Sequence, residues 1–255
     1  MIKNTIKIAL VGQPNVGKSM LINSISNARL KVGNFSGVTV SKEQVFFDYK
    51  NFHIEIVDLP GAYSLNDYTI EEKVTKDFLN NEKYDIILNV LDSTNLQRNL
   101  LLTAELLTLD KKMIIALNMS DEAEKESILI DEIQLSKILG KPCIKTSAAK
   151  KNGITKLLDE ILLKFQSQKV PSKFFFSNVI EEEIENISRV LEENKYETTE
   201  TYRQISLGLL KENKNIYKQF HDEPIWIKIQ PILTEAFEHL FIHFNSKNIK
   251  DIFNE

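Results

Sequence analysis

Residues 12–19 read GQPNVGKS, and this octet decides the fold class of the chain. It completes the pattern GxxxxGK(S/T), follows the apolar run at 6–11 and opens a helix-like stretch, which is the context that the motif requires. Its glycines allow the backbone to curl so that N–H groups converge on phosphate oxygens, and the following helix N-terminus adds partial positive charge. The octet therefore predicts a phosphate-binding loop, in which Lys18 reaches the β- and γ-phosphates and Ser19 binds Mg²⁺.

Outward from this loop, short apolar runs alternate with stretches of helical period. The strand-like runs occupy residues 6–11, 44–49, 52–57, 84–91, 112–117 and 142–145, and the helical stretches occupy 18–27, 69–80, 99–109, 131–139 and 154–166. This alternation is typical of an α/β fold with helices on both faces of a mostly parallel sheet. We predict six strands, one of them an antiparallel edge strand from a hairpin that turns at Lys50 and Asn51.

The alternation stops after Val170 and Pro171, and only helical stretches follow, at about 179–193, 202–213 and 225–244. Gly208 is the only glycine after Gly153. We place a boundary near 168–172 and predict two domains, an α/β domain at 1–170 and a small all-helical domain at 171–255.

The composition excludes several classes of protein. Of the 255 residues, 42% are hydrophobic and 27% are charged, which is the balance of a globular protein with a real core. The net charge of −4 gives no overall basic footprint for nucleic acid. The single cysteine, Cys143, excludes an internal disulfide and fits a reducing compartment. No apolar run approaches the roughly 18–20 residues that span a bilayer, so composition alone predicts a soluble cytoplasmic protein.

A second phosphate element, DLPG at 58–61, ends the third predicted strand. Asp58 at this position can hold Mg²⁺ through water, and the Gly61 N–H can face the γ-phosphate. Thr39 lies in the loop before the second predicted strand, where its hydroxyl is the natural second Mg²⁺ ligand from a mobile switch segment. Gly33 and Gly37 flank it, as expected for a loop that changes conformation.

Two further motifs predict recognition of a base. NMSD at 118–121 ends the fifth predicted strand, and TSA at 146–148 ends the sixth. The carboxylate of Asp121 can accept hydrogen bonds from both N1–H and N2–H₂ of guanine, a pair that adenine lacks, so GTP is favoured over ATP. The second motif would place a backbone N–H near guanine O6. Met119 stands where many GTPases carry Lys, which predicts weaker guanine affinity and fast exchange.

These motifs, in this order, resemble a Ras-like P-loop GTPase of the bacterial translation-factor-related class over residues 4–168. The stretches GQPNVGKSMLIN, VGNFSGVTVSKE, VDLPGAYSLNDYTIEEKVTKDFL and LNMSDEAEKESILID go further. They resemble the N-terminal cytoplasmic domain of the FeoB family of bacterial ferrous iron transporters. The helical tail is similar in length and position to the GDP-dissociation-inhibitor-like (GDI-like) domain of that family.

The resemblance implies a mechanism of GTP hydrolysis. Ala62 stands where a Ras-like enzyme has the glutamine that orients water, so catalysis must come from elsewhere. The family uses K⁺ in place of an arginine finger, and the resemblance implies Asn15 as a K⁺ ligand with carbonyls near Gly33 and Phe35. Phe35 stands where the family often has Trp. The catalytic residues are then Asn15, Lys18 and Thr39, with Mg²⁺ held by Ser19, Thr39 and Asp58.

The residues that we expect to contact the nucleotide belong to the four motifs and the switch. They are Gly12, Gln13, Pro14, Asn15, Val16, Gly17, Lys18, Ser19, Met20, Gly37, Val38, Thr39, Asp58, Leu59, Pro60, Gly61, Asn118, Met119, Asp121, Thr146, Ser147 and Ala148.

The resemblance also implies partners and a location. A membrane permease portion of the same polypeptide would follow this chain, which is then a soluble fragment at the cytoplasmic side of the inner membrane. Small cytoplasmic Feo proteins are implied partners, nucleic acid is not, and a homo-oligomer stays open. The alternatives are a soluble ribosome- or RNA-assembly GTPase, which usually adds a basic module, and a nucleotide-sensing scaffold with negligible hydrolysis.

Other chemically active side chains favour structural interpretations. Cys143 is predicted to lie in a strand core, and Glu71 and Glu72 to lie in the first turn of a helix, where acids are favourable. His239 and His243 share a helix face in a spacing that suits a metal, but no third ligand is evident, so a structural role is favoured and a metal site stays the alternative. The acidic helix start, comprising Glu181, Glu182, Glu183 and Glu185, is predicted to be solvated.

Overall fold

The computed structural model describes residues 4–25, 29–35, 38–65, 69–167, 175–198 and 200–254. The chain forms two compact units, Met1–Phe174 and Phe175–Glu255. The first unit has two clusters of buried apolar side chains, and the second unit has one. The predicted motifs for phosphate and base all lie in the first unit.

The described strands of the first unit form one sheet. In chain order they are β1 (Asn4–Gly12), β2 (Arg29–Asn34), β3 (Ser41–Tyr49), β4 (Phe52–Asp58), β5 (Ile86–Asp92), β6 (Met113–Asn118) and β7 (Cys143–Lys145). Across the sheet the order is β2-β3-β4-β1-β5-β6-β7. β1 pairs in parallel with β4 and β5, and β6 pairs in parallel with β5 and β7. The mostly parallel α/β sheet is therefore confirmed.

The predicted count of six strands is wrong, because β2 is a seventh strand. Its sequence is RLKVGN, in which Leu30 and Val32 are separated by Lys31 and Val32 is exposed, so no apolar run marks it. β2 pairs antiparallel with β3, which is also antiparallel to β4. The predicted hairpin exists, but β3 lies one position inside the sheet and β2 forms the edge. Gly33, predicted to lie in a loop, lies within β2.

The helices described in the first unit are α1 (Lys18–Ser24), α2 (Ile70–Asn81), α3 (Leu96–Leu107), α4 (Ser120–Lys125), α5 (Glu132–Leu139) and α6 (Ile154–Gln166). α2 begins where the Thr69 hydroxyl accepts the Glu72 N–H at 3.2 Å, and this helix cap confirms the acidic first turn. α1 ends at Ser24, earlier than predicted. α4 was not predicted, because it is six residues long and begins inside the base motif.

The side chains of β1 alternate between two apolar cores. Ile8 and Leu10 face the core covered by α1 and α6, whereas Ala9 and Val11 face the core covered by α2 and α3. Successive side chains of a strand point to opposite faces, so a strand buried on both sides is apolar throughout. Burying a side chain such as Ile or Leu contributes about 1.5–3 kcal/mol, which fixes the strand that leads into the phosphate-binding loop.

The second unit is helical. Its described helices are α7 (Asn178–Glu193), α8 (Tyr202–Leu210), α9 (Lys214–His221), α10 (Trp226–His243) and α11 (Ile249–Asn254). α8 ends before the predicted residue 213, because Asn213 caps α9 by accepting the N–H groups of Asn215 and Ile216. α9 and α11 are short and were not predicted. Among the described residues, no helix is long and apolar enough to cross a membrane.

The prediction that the acidic start of α7 is solvated is wrong for Glu181 and Glu183. The Glu181 carboxylate accepts hydrogen bonds from both terminal nitrogens of the Arg203 guanidinium. Glu183 is only 5% exposed, and its Oε1 lies 2.6 Å from His239 Nδ1 on α10. These carboxylates therefore link helices, and Glu182 is exposed as predicted.

Candidate nucleotide site

The phosphate-binding loop connects the end of β1 to the start of α1. Asn15 and Gly17 adopt left-handed backbone conformations, with φ of 68° and 85°. A Cβ on Gly17 would lie 2.5 Å from Nδ2 of Asn118, and a Cβ on Gly12 would lie 2.6 Å from the carbonyl oxygen of Val90. Glycine is required at both positions because neighbouring groups occupy the space of a side chain.

Asn118 joins the phosphate-binding loop to the TSA segment. Its Nδ2 donates to the Val16 carbonyl at 3.0 Å, and its Oδ1 accepts the Ala148 N–H at 3.1 Å. The side chain is buried, so both halves of its amide are satisfied within the protein. Asn118 therefore holds together the two segments predicted to contact phosphate and base.

Asp121 lies in the first turn of α4, two residues beyond the left-handed Met119. A hydrogen bond from Ser147 and the Lys150 ammonium, 3.4 Å away, hold the pKa of its carboxyl below the usual value. The Asp121 side chain is mostly buried, whereas Lys150 is exposed. The carboxylate is therefore ionised and can act only as an acceptor, which suits two adjacent N–H donors.

Lys18 and Asp58 meet at the base of the loop, with Nζ 3.9 Å from Oδ1. Both side chains are nearly buried, and burial raises the pKa of Asp58 to about 6 although Lys18 opposes the shift. Burial lowers the pKa of Lys18, and Asp58 opposes that shift. Asp58 Oδ1 accepts no hydrogen bond from any described group. A buried oxygen without a donor fits the predicted Mg²⁺, since hard cations prefer carboxylate ligands.

The other predicted Mg²⁺ ligands, Ser19 and Thr39, are exposed. Ser19 lies in the first turn of α1, close in sequence to Lys18. Thr39 lies in the bend between β2 and β3, as the loop prediction requires. Gly37 lies outside the described residues.

The residues expected to hold K⁺ occupy three different settings. Asn15 is exposed in the loop, and Gly33 of the edge strand β2 pairs with Lys42 of β3. Phe35 is 8% exposed and packs edge-on against Phe78 of α2, with ring centroids 6.1 Å apart. The Phe35 carbonyl accepts the Val38 N–H at 3.3 Å. In this conformation, that carbonyl is engaged within its own turn.

The DLPG segment is seated against the phosphate-binding loop. A Cβ on Gly61 would lie 3.0 Å from Pro14 Cα, so a side chain at this position would require the phosphate-binding loop to shift by a few tenths of an ångström. The next residue, Ala62, donates its N–H to the Gly12 carbonyl at 3.3 Å. The Gln13 side chain bonds to α3 and not to the DLPG segment, because its Nε2 donates to the Arg98 carbonyl at 2.7 Å.

Sequence reasoning missed several residues around this site, namely Tyr63, Arg98, Glu105 and Lys150. Of these, Tyr63 and Lys150 lie close to recognised motifs, two residues after Gly61 and two residues after Ala148, whereas Arg98 and Glu105 lie in a stretch that carries no motif. Across the described ranges, no group of three or more His, Cys, Asp or Glu side chains is arranged to hold a metal ion.

The family model FeoB_N, described as ferrous iron transport protein B, matches residues 6–161. The chain belongs to the FeoB_N family. Fe(2+) transporter FeoB of Campylobacter jejuni is 53% identical over 176 residues, which are 69% of this chain and 29% of the relative. The FeoB of Helicobacter pylori strain 26695 is 58% identical over 180 residues, covering 67% of this chain and 28% of the relative. The chain thus spans less than a third of the length of these two curated relatives.

Solved FeoB structures share the fold. An S. thermophilus NFeoB mutant bound to GDP has a TM-score of 0.84 at 30% identity, covering 97% of this chain and 93% of that one. The cytosolic domain of T. maritima FeoB, in its second GDP form, has a TM-score of 0.80 at 30% identity, covering 91% and 94%. These matches cover more of the chain than residues 6–161 and confirm the Ras-like P-loop GTPase fold of the first unit.

Proposed function

We propose that this chain binds GTP and hydrolyses it to GDP and phosphate. The observation that carries the proposal is the pairing of Lys18 with Asp58, whose buried Oδ1 has no described donor, directly beneath the phosphate-binding loop. The GDP-bound and GMPPNP-bound forms of the T. maritima relative support guanine nucleotide as the ligand. Asp121, kept ionised by Ser147 and Lys150, would accept the guanine N–H pair.

Each residue of the site would have one role. The Lys18 ammonium binds the β- and γ-phosphate oxygens, and Ser19, Thr39 and Asp58 hold Mg²⁺, which supplies charge compensation on those oxygens. The Gly61 N–H faces the γ-phosphate. Ala62 has no side-chain donor or acceptor, so backbone groups must orient the attacking water. Asn15 would hold K⁺, which supplies the positive charge that an arginine finger provides in other GTPases.

The turnover experiment compares K⁺ with Na⁺ at constant ionic strength. We expect hydrolysis to be at least about tenfold faster in K⁺, because K⁺ would add preorganised positive charge where negative charge develops in the transition state. Asn15→Ala should remove the difference. Asn23→Ala, an exposed asparagine on the following helix, is the matched control and should keep it.

Equal rates in K⁺ and Na⁺ would contradict the role of K⁺ alone. If the wild type shows no turnover in either salt while it binds GDP, the chain is a nucleotide-sensing module and the hydrolysis proposal falls. Lys18→Ala should abolish tight nucleotide binding, and full affinity in that variant would contradict the phosphate-loop assignment.

We further propose that the chain is the regulatory part of a ferrous iron transporter, on the cytoplasmic side of the cell membrane. The support is that the Campylobacter jejuni and Helicobacter pylori relatives are Fe(2+) transporters, of which this chain would be the nucleotide-binding portion. The division at 1–170 and 171–255 would separate a GTPase domain from a GDI-like domain.

The Porphyromonas gingivalis relative is a fusion of Fe(2+) transport protein A with FeoB. A protein similar to Fe(2+) transport protein A is therefore a candidate partner of this chain. Fe²⁺ uptake by cells expressing the whole polypeptide, with or without Lys18→Ala, tests the transport role.

A further inference from the structure

The segment that follows Asp58 is anchored at nearly every residue. The Pro60 carbonyl accepts the Thr75 hydroxyl of α2 at 3.1 Å. The Ala62 N–H donates to Gly12 at 3.3 Å, and the Ser64 N–H donates to Glu72 Oε1 at 3.1 Å. The anchors on α2 and on the phosphate-binding loop therefore hold alternate residues of the segment and leave Tyr63 and Leu65 to other partners.

Those other partners both lie on α3. The Arg98 guanidinium stacks on the Tyr63 ring, with Cζ 4.8 Å from the centroid. The Glu105 carboxylate accepts the Leu65 N–H at 2.5 Å. Residues seven apart lie on the same face of a helix, so Arg98 and Glu105 form one row along α3. One helix face thus contacts two positions of the segment.

α3 is itself tied to the phosphate-binding loop. The Gln13 side chain is 4% exposed, and it donates to the carbonyl of Arg98, the residue that carries the stacked guanidinium. The same turn of α3 therefore touches the loop through its backbone and the DLPG segment through its side chain. These contacts join the segment to the loop through α3.

We propose that Arg98 and Glu105 are positioning residues, which hold residues 63–65 so that the backbone at Gly61 and Ala62 stays aligned for the hydrolysis step. Position 62 carries no side chain able to orient water, so the rate depends on where its backbone lies. α3 sets that placement from outside the site. The inference rests on the proposed GTPase function.

The test is steady-state GTP hydrolysis by the whole chain. We expect R98A to lower kcat about two- to fivefold, the size of an exposed cation–π contact, with KM changed less than twofold. E105A removes a charge-assisted hydrogen bond to a backbone N–H and should lower kcat about tenfold. E105Q keeps an acceptor oxygen and should fall between E105A and the wild type. Gln97→Ala, an exposed neighbour on α3, is the matched control and should be unchanged.

A double-mutant cycle tests the stack itself. Tyr63→Ala should reproduce the loss seen in R98A, Tyr63→Phe should retain the rate, and R98A should add nothing on the Tyr63→Ala background. This cycle decides the question even where E105A does not fold.

Wild-type turnover that is unchanged in R98A, E105A and E105Q would overturn the inference and leave the proposed function intact. A rise in KM without a fall in kcat would also overturn it, because α3 would then act on binding. Absence of turnover in the wild type would overturn the proposed function first, and with it the role given to α3.

Discussion

At the scale of single residues, Asp121 is the position where the site distinguishes one base from another. Its carboxylate lies at the start of α4 and is kept ionised by Ser147 and Lys150. Asp121→Asn replaces one acceptor oxygen with a donor, so we expect guanine nucleotide affinity to fall at least about tenfold and xanthine nucleotide affinity to rise. Competition binding with fluorescent GDP measures both changes.

The neighbouring Glu122 provides the control for this substitution. It is exposed in the same helical turn, and Glu122→Gln changes the local charge by the same amount. We expect that variant to keep the guanine preference. An unchanged preference in Asp121→Asn would remove Asp121 from base recognition.

Much of this residue-level chemistry follows from the sequence, because each motif is a short run in which backbone shape and side chain act together. Gly17 and Lys18 belong to one octet, so their roles come from adjacency. The burial that raises the pKa of Asp58 to about 6 cannot be predicted from the motif, since it depends on side chains distant in sequence. Gln13 lies in the same octet, yet its side chain bonds Arg98, 85 positions away.

At the scale of helices and strands, the link between α7 and α10 shows what helical periodicity cannot predict. Glu183 is buried, and its partner His239 lies 56 positions further along the chain. His239→Ala leaves a buried carboxylate without its imidazole. We expect a loss of about 1 kcal/mol or more in the free energy of unfolding, measured by urea denaturation.

His243 serves as the matched control for this link. It lies one turn beyond His239 on α10 and is exposed, so His243→Ala should change stability by about 0.5 kcal/mol or less. Equal effects of the two substitutions would show that the Glu183–His239 contact contributes nothing specific.

The strands show the same distinction. β5 and β6 are buried on both faces, so their apolar runs are visible in the sequence. β2 is held by backbone pairing to β3, and its alternation of polar and apolar residues lasts only from 29 to 32, which is too short to stand out in the sequence. The existence of most helices followed from periodicity, although α4, α9 and α11 did not. The helix ends depend on caps such as Thr69 and Asn213, which only the structure identifies.

At the scale of the whole molecule, each unit carries its own unique probe. Trp226, the only tryptophan, lies in the helical unit, and Cys143, the only cysteine, is 4% exposed in the sheet of the other unit. Burial raises the pKa of the Cys143 thiol to about 11, so it should react with alkylating reagents only after its unit unfolds.

Nucleotide should therefore separate the two unfolding transitions. A ligand at about 100 times its Kd stabilises its unit by about 2.7 kcal/mol, which corresponds to roughly 5–10 °C for a domain of this size. We expect Mg²⁺ and GDP to raise by that amount the temperature at which Cys143 becomes open to alkylation. The midpoint temperature of the unfolding transition followed by Trp226 fluorescence should rise by less. Equal shifts of both probes would show that the units unfold as one cooperative body.

The α/β architecture, the phosphate-binding loop and the base motifs can be predicted from the amino-acid order alone, because they depend on periodicity and on residues that are adjacent in the chain. Folding in three dimensions is needed to show that Asn118 holds the loop to Ala148, that α3 anchors the segment after Asp58, and that Glu183 bonds His239. Those contacts join residues that lie tens of positions apart in the chain. The contact partner of such a residue cannot be predicted from its type or from its spacing in the sequence, because the partner depends on how helices and strands pack around the buried sheet.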